Sequence, residues 1–206
     1  MIRRLGLFVV LAEVGALASG CMAFSTAESP FHAGVRNQGS WLEGGQANGP
    51  GNDNYFVGWV LEDFPETEYK ARNYFTFDLT DACEAGGVVL KVTRFSQTAP
   101  IAYKLFDVTT PADVLNAETA QDPAVFEDLG SGTSFGSFNV TPGDRAEVLS
   151  FPLNTAAVAA YNNARGGFFS IGGAAPDAGL GDYVFGHSGE SQGAQHLLAV
   201  CKDQPT

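Results

Sequence analysis

Asn73-Tyr74-Phe75-Thr76-Phe77-Asp78-Leu79 places Phe75, Phe77 and Leu79 on one face of an extended chain, the alternation of a half-buried strand. Val88–Thr93 repeats the pattern, with Val88, Leu90 and Val92 facing one way and Val89, Lys91 and Thr93 the other. Ala102–Val108 is similarly rich in β-formers. Outward from these, strand-like runs separated by turn residues cover 55–61, 72–79, 87–95, 101–108, 134–140, 147–153, 167–172, 183–187 and 195–201. Such a succession, without long helices between, predicts an all-β fold: a single antiparallel β-sandwich of jelly-roll type. Sixteen Phe and 25 Gly suit short strands joined by tight turns.

One short alanine-rich helix is expected over 154–166, capped by Asn154 or Thr155 and stopped by Gly166. Pro111–Asn116 predicts a further turn or so, with Thr110 before the proline. The stretch 22–54 is polar and glycine-rich, with a short strand expected around Ser40-Trp41-Leu42. The expected organisation is therefore an export signal (1–21), a flexible N-terminal segment (22–38), the β-sandwich (39–201) and a short tail (202–206).

The export signal rests on Arg3-Arg4 followed by a mostly apolar run from Leu5 to Ala18, too short to span a bilayer as a mature helix. Two processing sites compete: Ala16-Leu17-Ala18 for ordinary cleavage, and Ala18-Ser19-Gly20-Cys21, which resembles the lipobox of bacterial lipoproteins. Lipidation of Cys21 would leave Cys83 and Cys201 as an even pair, free to form a disulfide in an oxidising compartment. Two buried thiols are the alternative. The net charge of −12 repels nucleic acid and anionic lipid, so membrane attachment would come only through a lipid anchor. The expected location is outside the cytoplasm, as an anchored lipoprotein or a secreted protein.

The strings Asn54–Gly58, Arg72–Leu79, Tyr103–Thr110, Phe126–Gly136 and Phe169–Gly173 occur in this order over most of 39–200. Together they resemble a family of exported bacterial β-sandwich proteins that often precede a PEP-CTERM sorting tail. The chain ends Cys201–Thr206 without that tail, which would move the anchor to Cys21. The first two strings are also similar to DNRLRE-type modules, sandwiches of surface proteins and of polysaccharide-degrading enzymes. The resemblance implies fold and location; it implies no catalytic residues.

Candidate sites are few. Gly189-Glu190-Ser191-Gln192-Gly193 matches the nucleophile-elbow string, but it lacks the strand-to-helix context of a hydrolase sheet, and His196 follows too closely for a triad. An ordinary turn is the favoured reading. Glu62 and Asp63, adjacent on a strand, point to opposite faces and make a poor glycosidase pair. Trp41, Tyr55, Trp59 and Tyr183 are candidates for stacking on sugar rings, Trp41 being the one least committed to a core. Asp53, with Asn52 and Asn54, and Asp177 with Asp182 offer oxygen donors for a possible structural calcium, the only cofactor expected. The first functional expectation is a non-enzymatic exported surface protein with a structural or protein-interaction role, its partner a surface polysaccharide or an envelope protein. A carbohydrate-binding module is the alternative, and a small glycan-active hydrolase comes third.

Overall fold

The computed structural model describes residues 31–47, 54–63, 66–94, 96–97, 99–144, 146–186 and 195–202. Twelve strands and three helices follow the order β1 (Phe31–Leu42), β2 (Gln46–Ala47), β3 (Val57–Asp63), β4 (Glu66–Asp78), β5 (Ala85–Thr93), β6 (Ser96–Gln97), β7 (Ile101–Asp107), α1 (Ala112–Leu115), α2 (Pro123–Asp128), β8 (Ser134–Val140), β9 (Val148–Pro152), α3 (Thr155–Ala164), β10 (Phe168–Ala174), β11 (Tyr183–Phe185) and β12 (His196–Cys201).

Every strand pairing among the described residues is antiparallel. One sheet runs β1-β12-β5-β9 and the other has β4-β10-β7-β8 as its main strands, so the chain crosses between layers after β4, β5, β8, β9 and β11. That strand order is the wrapping of a jelly roll, two Greek keys folded over one core. Strand β1 belongs to both layers: Phe31–Gly34 pair with β12, and after an irregularity between Val35 and Asn37 the strand continues along β4 to Leu42. A bulge bends and twists a strand, which lets one strand turn the corner between two sheets. Residues 31–38, expected as part of a flexible segment, are thus the first two thirds of β1. Pairing along two partners outweighs their polar, glycine-containing composition.

The alternation of β4 holds. Phe75, Phe77 and Leu79 are fully buried between the layers, in one core cluster with Leu90 and Val92 of β5 in the opposite sheet and with Tyr103 and Leu105 of β7 and Phe169 and Ile171 of β10 in their own. Fully burying each such side chain contributes ~1.5–3 kcal/mol. The core holds one polar knot: Tyr103 Oη donates to Asn73 Oδ1 at 3.0 Å, and Asn73 Nδ2 donates to the Tyr55 carbonyl at 2.9 Å. Burial drives the Tyr103 hydroxyl far above its ordinary range, so it stays a donor. A Cβ on Gly173 would run into Asn73 Oδ1 and the Tyr103 ring, so the knot requires glycine there.

Asn154 caps α3 by accepting from the Ala157 amide at 3.1 Å. Ala157 and Tyr161 of this helix close one end of the core. Asn162 then grips both backbone groups of Ala85, at 2.8 and 2.9 Å, beside the Cys83–Cys201 disulfide.

Of the three helices among the described residues, α1 falls on the turn expected at 111–116 and α3 on the expected alanine-rich helix, while α2 was not expected. α2 begins at Asp122-Pro123, where the Asp122 carboxylate accepts from the Ala124 amide at 2.9 Å and Pro123 opens the first turn. Strand β4 begins at Glu66, six residues before the expected start, because its first half forms a hairpin with β3.

Candidate functional site

The outer face of the β4 sheet is divided in two by the excursion between β7 and β8. Over one half, α1 and α2 lie on β1 and β4, burying Trp41, Tyr74, Leu115, Val125, Phe126 and Leu129 in a second small core. Trp41 Nε1 donates to the Leu115 carbonyl at 3.0 Å, and Arg72 lies 4.1 Å over the Phe126 ring while donating to the Phe126 carbonyl at 2.7 Å. Gly172 of β10 allows the close approach, since a Cβ there would come within 2.7 Å of the Leu129 carbonyl oxygen. The Asp128 carboxylate accepts from the amides and hydroxyls of both Thr109 and Thr110, at 2.6–3.1 Å, and so fixes the start of the excursion.

Over the other half the sheet is open. Ser170 lines its floor, with its hydroxyl 2.8 Å from that of the buried Thr76. A depression of about 750 Å³ lies here, bounded by Arg36 and Asn37 of β1, Phe168 and Ser170 of β10, and Thr109–Asp113 with Asn116 of the excursion. A second, of about 360 Å³, lies towards Ala160 and Asn163 of α3 and shares Val108, Phe168 and Ser170 with the first. The two make one trough with Phe168 standing at its middle.

Phe168 is 47 % exposed, while its neighbour Phe169 is buried in the core. The Arg36 guanidinium lies 4.2 Å from the centre of the Phe168 ring, and its Nη1 is 4.0 Å from Asp78 Oδ2. Hydrogen bonds from the Thr80 hydroxyl and amide hold the Asp78 carboxyl below its ordinary range, and the Arg36 charge adds to that effect. The trough thus presents one aromatic face beside hydroxyl, amide and guanidinium groups.

The residues expected at a sugar site lie elsewhere. Trp41 is fully buried beneath α1, so its ring offers no platform; the cover comes from a segment some seventy residues away in sequence. Tyr55 is also fully buried and donates to the Thr93 carbonyl at 3.2 Å. Trp59 is half-buried on β3, with the Lys70 ammonium 5.1 Å from its ring centre. Tyr183 on β11 pairs with Gly58, the residue before Trp59, so Tyr183 and Trp59 face opposite sides of that ribbon. The four aromatics form no common surface.

Glu62 and Asp63 occupy the β3–β4 hairpin, at the opposite end of β4 from Phe168. Cys21, Asp53 and the string Gly189–Gly193 with Ser191 lie outside the described residues. Asp177 pairs with Lys104 at 3.7 Å, so a cation there would have to displace an ammonium group. Among the described residues no group of three or more His, Cys, Asp or Glu side chains is arranged to hold a metal ion. No described helix is long and apolar enough to cross a membrane. Cys83 and Cys201 do form the expected disulfide, with Cα atoms 5.7 Å apart.

Sequence reasoning passed over Phe168, although a signal was present: in Phe168-Phe169 on a strand, one ring must face outward. A scan of the chain against protein-family models finds no match, and a search among curated proteins likewise finds none.

Proposed function

We propose that this is a non-enzymatic exported surface domain that holds a neutral polysaccharide chain in the trough across Phe168. The observation that carries the reading is Phe168 itself, a 47 % exposed ring at the middle of a polar trough on an otherwise well-covered sheet. Sugar rings offer an apolar face for stacking and hydroxyls for hydrogen bonding, and Asn37, Asn116 and Ser170 are placed to meet those hydroxyls. The net charge of −12, with Asp113 in the trough lining, disfavours an anionic polymer.

Holding is favoured over cleaving. The carboxylates along the trough are Asp113 and Asp107, and Asp107 is engaged by the Thr133 amide, whereas glycoside hydrolysis uses two free carboxyl groups across the bond. Export rests on the basic-apolar start of the chain and is consistent with the disulfide, which belongs to oxidising compartments. Attachment through Cys21 follows from the lipobox-like string, and membership of the exported sandwich family rests on the strings quoted above.

Co-sedimentation of the purified protein with a panel of insoluble neutral polysaccharides tests the ligand class. Saturable binding to one of them, changing by less than about twofold between roughly 50 and 500 mM salt, is the expected result. Binding that falls steeply with salt, or retention only by anionic polymers, would overturn the assignment.

A further inference from the structure

The opposite face of the sandwich carries two of the three histidines of the chain. In the register of β1 with β12, His32 pairs with Leu198 and Gly34 with His196, so the histidines are diagonal neighbours on adjacent strands. Both share one face: the alternate residues Ala33, Leu197 and Ala199 are buried in the core, while His32 is exposed and His196 half-buried on the outside. Their ring centres are 5.8 Å apart, with 38° between the ring planes.

We propose that His32 and His196 together bind one divalent transition-metal ion of the zinc, nickel or copper class. Two imidazoles holding one ion at ~2.0–2.1 Å from each nitrogen place their ring centres roughly 5–6 Å apart, and the observed separation of the ring centres falls in that range. Imidazole is the ligand type these borderline ions prefer. Lys91 stands opposite His196 on β5, but its ammonium is drawn to Ser150 Oγ at 2.6 Å, one strand further away. Two protein ligands leave the remaining positions to water.

The site also has a mechanical consequence. Phe31–Gly34 form the outermost strand segment of this sheet, held by β12, the last described strand. An ion shared by His32 and His196 fastens that segment to β12 across a strand pair otherwise joined by backbone hydrogen bonds. Binding to the folded state alone raises stability by mass action.

The test is calorimetric titration of the tag-free, chelator-treated protein with Zn²⁺ and Ni²⁺, with hydrogen exchange followed over residues 31–34. One equivalent should bind, exchange at 31–34 should slow when the ion is present, and His32→Ala should weaken binding by about a hundredfold through loss of chelation. His32 is exposed, so the variant should melt like the parent in the absence of metal; His196→Gln provides the reciprocal loss. Absence of stoichiometric binding would overturn the site. So would binding that His32→Ala leaves unchanged, or binding that does not slow exchange at 31–34.

Discussion

Replacing both Cys83 and Cys201 by alanine is expected to lower the melting temperature by about 10–15 °C. The bridge joins residues 118 apart, and closing so long a loop restricts the unfolded chain by ~4–5 kcal/mol in the loop-entropy model. Its position adds to its leverage. Cys201 pairs with Ala85 at the end of β12. Beyond it Lys202 donates its amide to the Glu84 carbonyl at 2.7 Å and its ammonium to the Glu84 carboxylate at 2.6 Å. Asn162 of α3 grips Ala85 from the other side. Loss of the bridge therefore frees the last strand of one sheet together with the anchor of α3. Calorimetric melting of the double variant beside the oxidised parent checks the size of the effect. A shift under about 3 °C would mean that these neighbouring contacts hold the end of β12 without the bridge.

Trp41→Ala should cost ~3–5 kcal/mol, a fall of similar size. The indole is fully buried between β1 and α1, and its removal leaves a cavity under the excursion and the Leu115 carbonyl without its donor. Urea denaturation gives the change in stability directly. The result bears on function as well as on folding. Were Trp41 a sugar platform, its loss would reduce binding and leave stability intact. Here stability falls first, and any loss of binding follows from the loosened wall of the trough. An unchanged denaturation midpoint would contradict the buried placement.

What the sequence made legible follows from how local each signal is. The period-two alternation of Phe75, Phe77 and Leu79 is written within seven residues, and the structure buries all three between the layers. The disulfide followed from counting three cysteines and setting one aside, and α3 from its Asn154 cap and alanine run. Trp41 failed because its cover is not local: polar, glycine-rich neighbours suggested exposure, while the residues that bury it arrive with α1 and α2. The corner in β1 between Val35 and Asn37 was equally hidden, since the switch depends on two partners, β12 and β4, remote from each other in sequence. Two signals were readable and went unused. Asp122-Pro123 is a cap followed by a first-turn proline, and it opens α2. Phe168-Phe169 on one strand requires one ring on each face, and the outward ring is the centre of the candidate site.

The fold and the proposed function meet at that ring. The excursion that buries Trp41 also forms one wall of the trough, and the Asp128 clamp on Thr109 and Thr110 sets where that wall begins. Arg36 lies over the Phe168 ring at 4.2 Å, and Phe168 still keeps 47 % of its surface exposed in the trough. The most direct measurement is the affinity of the parent and of Phe168→Ala for the polysaccharide that the protein retains, with both melting temperatures recorded. The account predicts a loss of about tenfold or more, in keeping with ~1.4 kcal/mol or more from one stacking ring, at an unchanged melting temperature. Equal affinity in the two proteins, or saturable binding to no neutral polysaccharide, would contradict it.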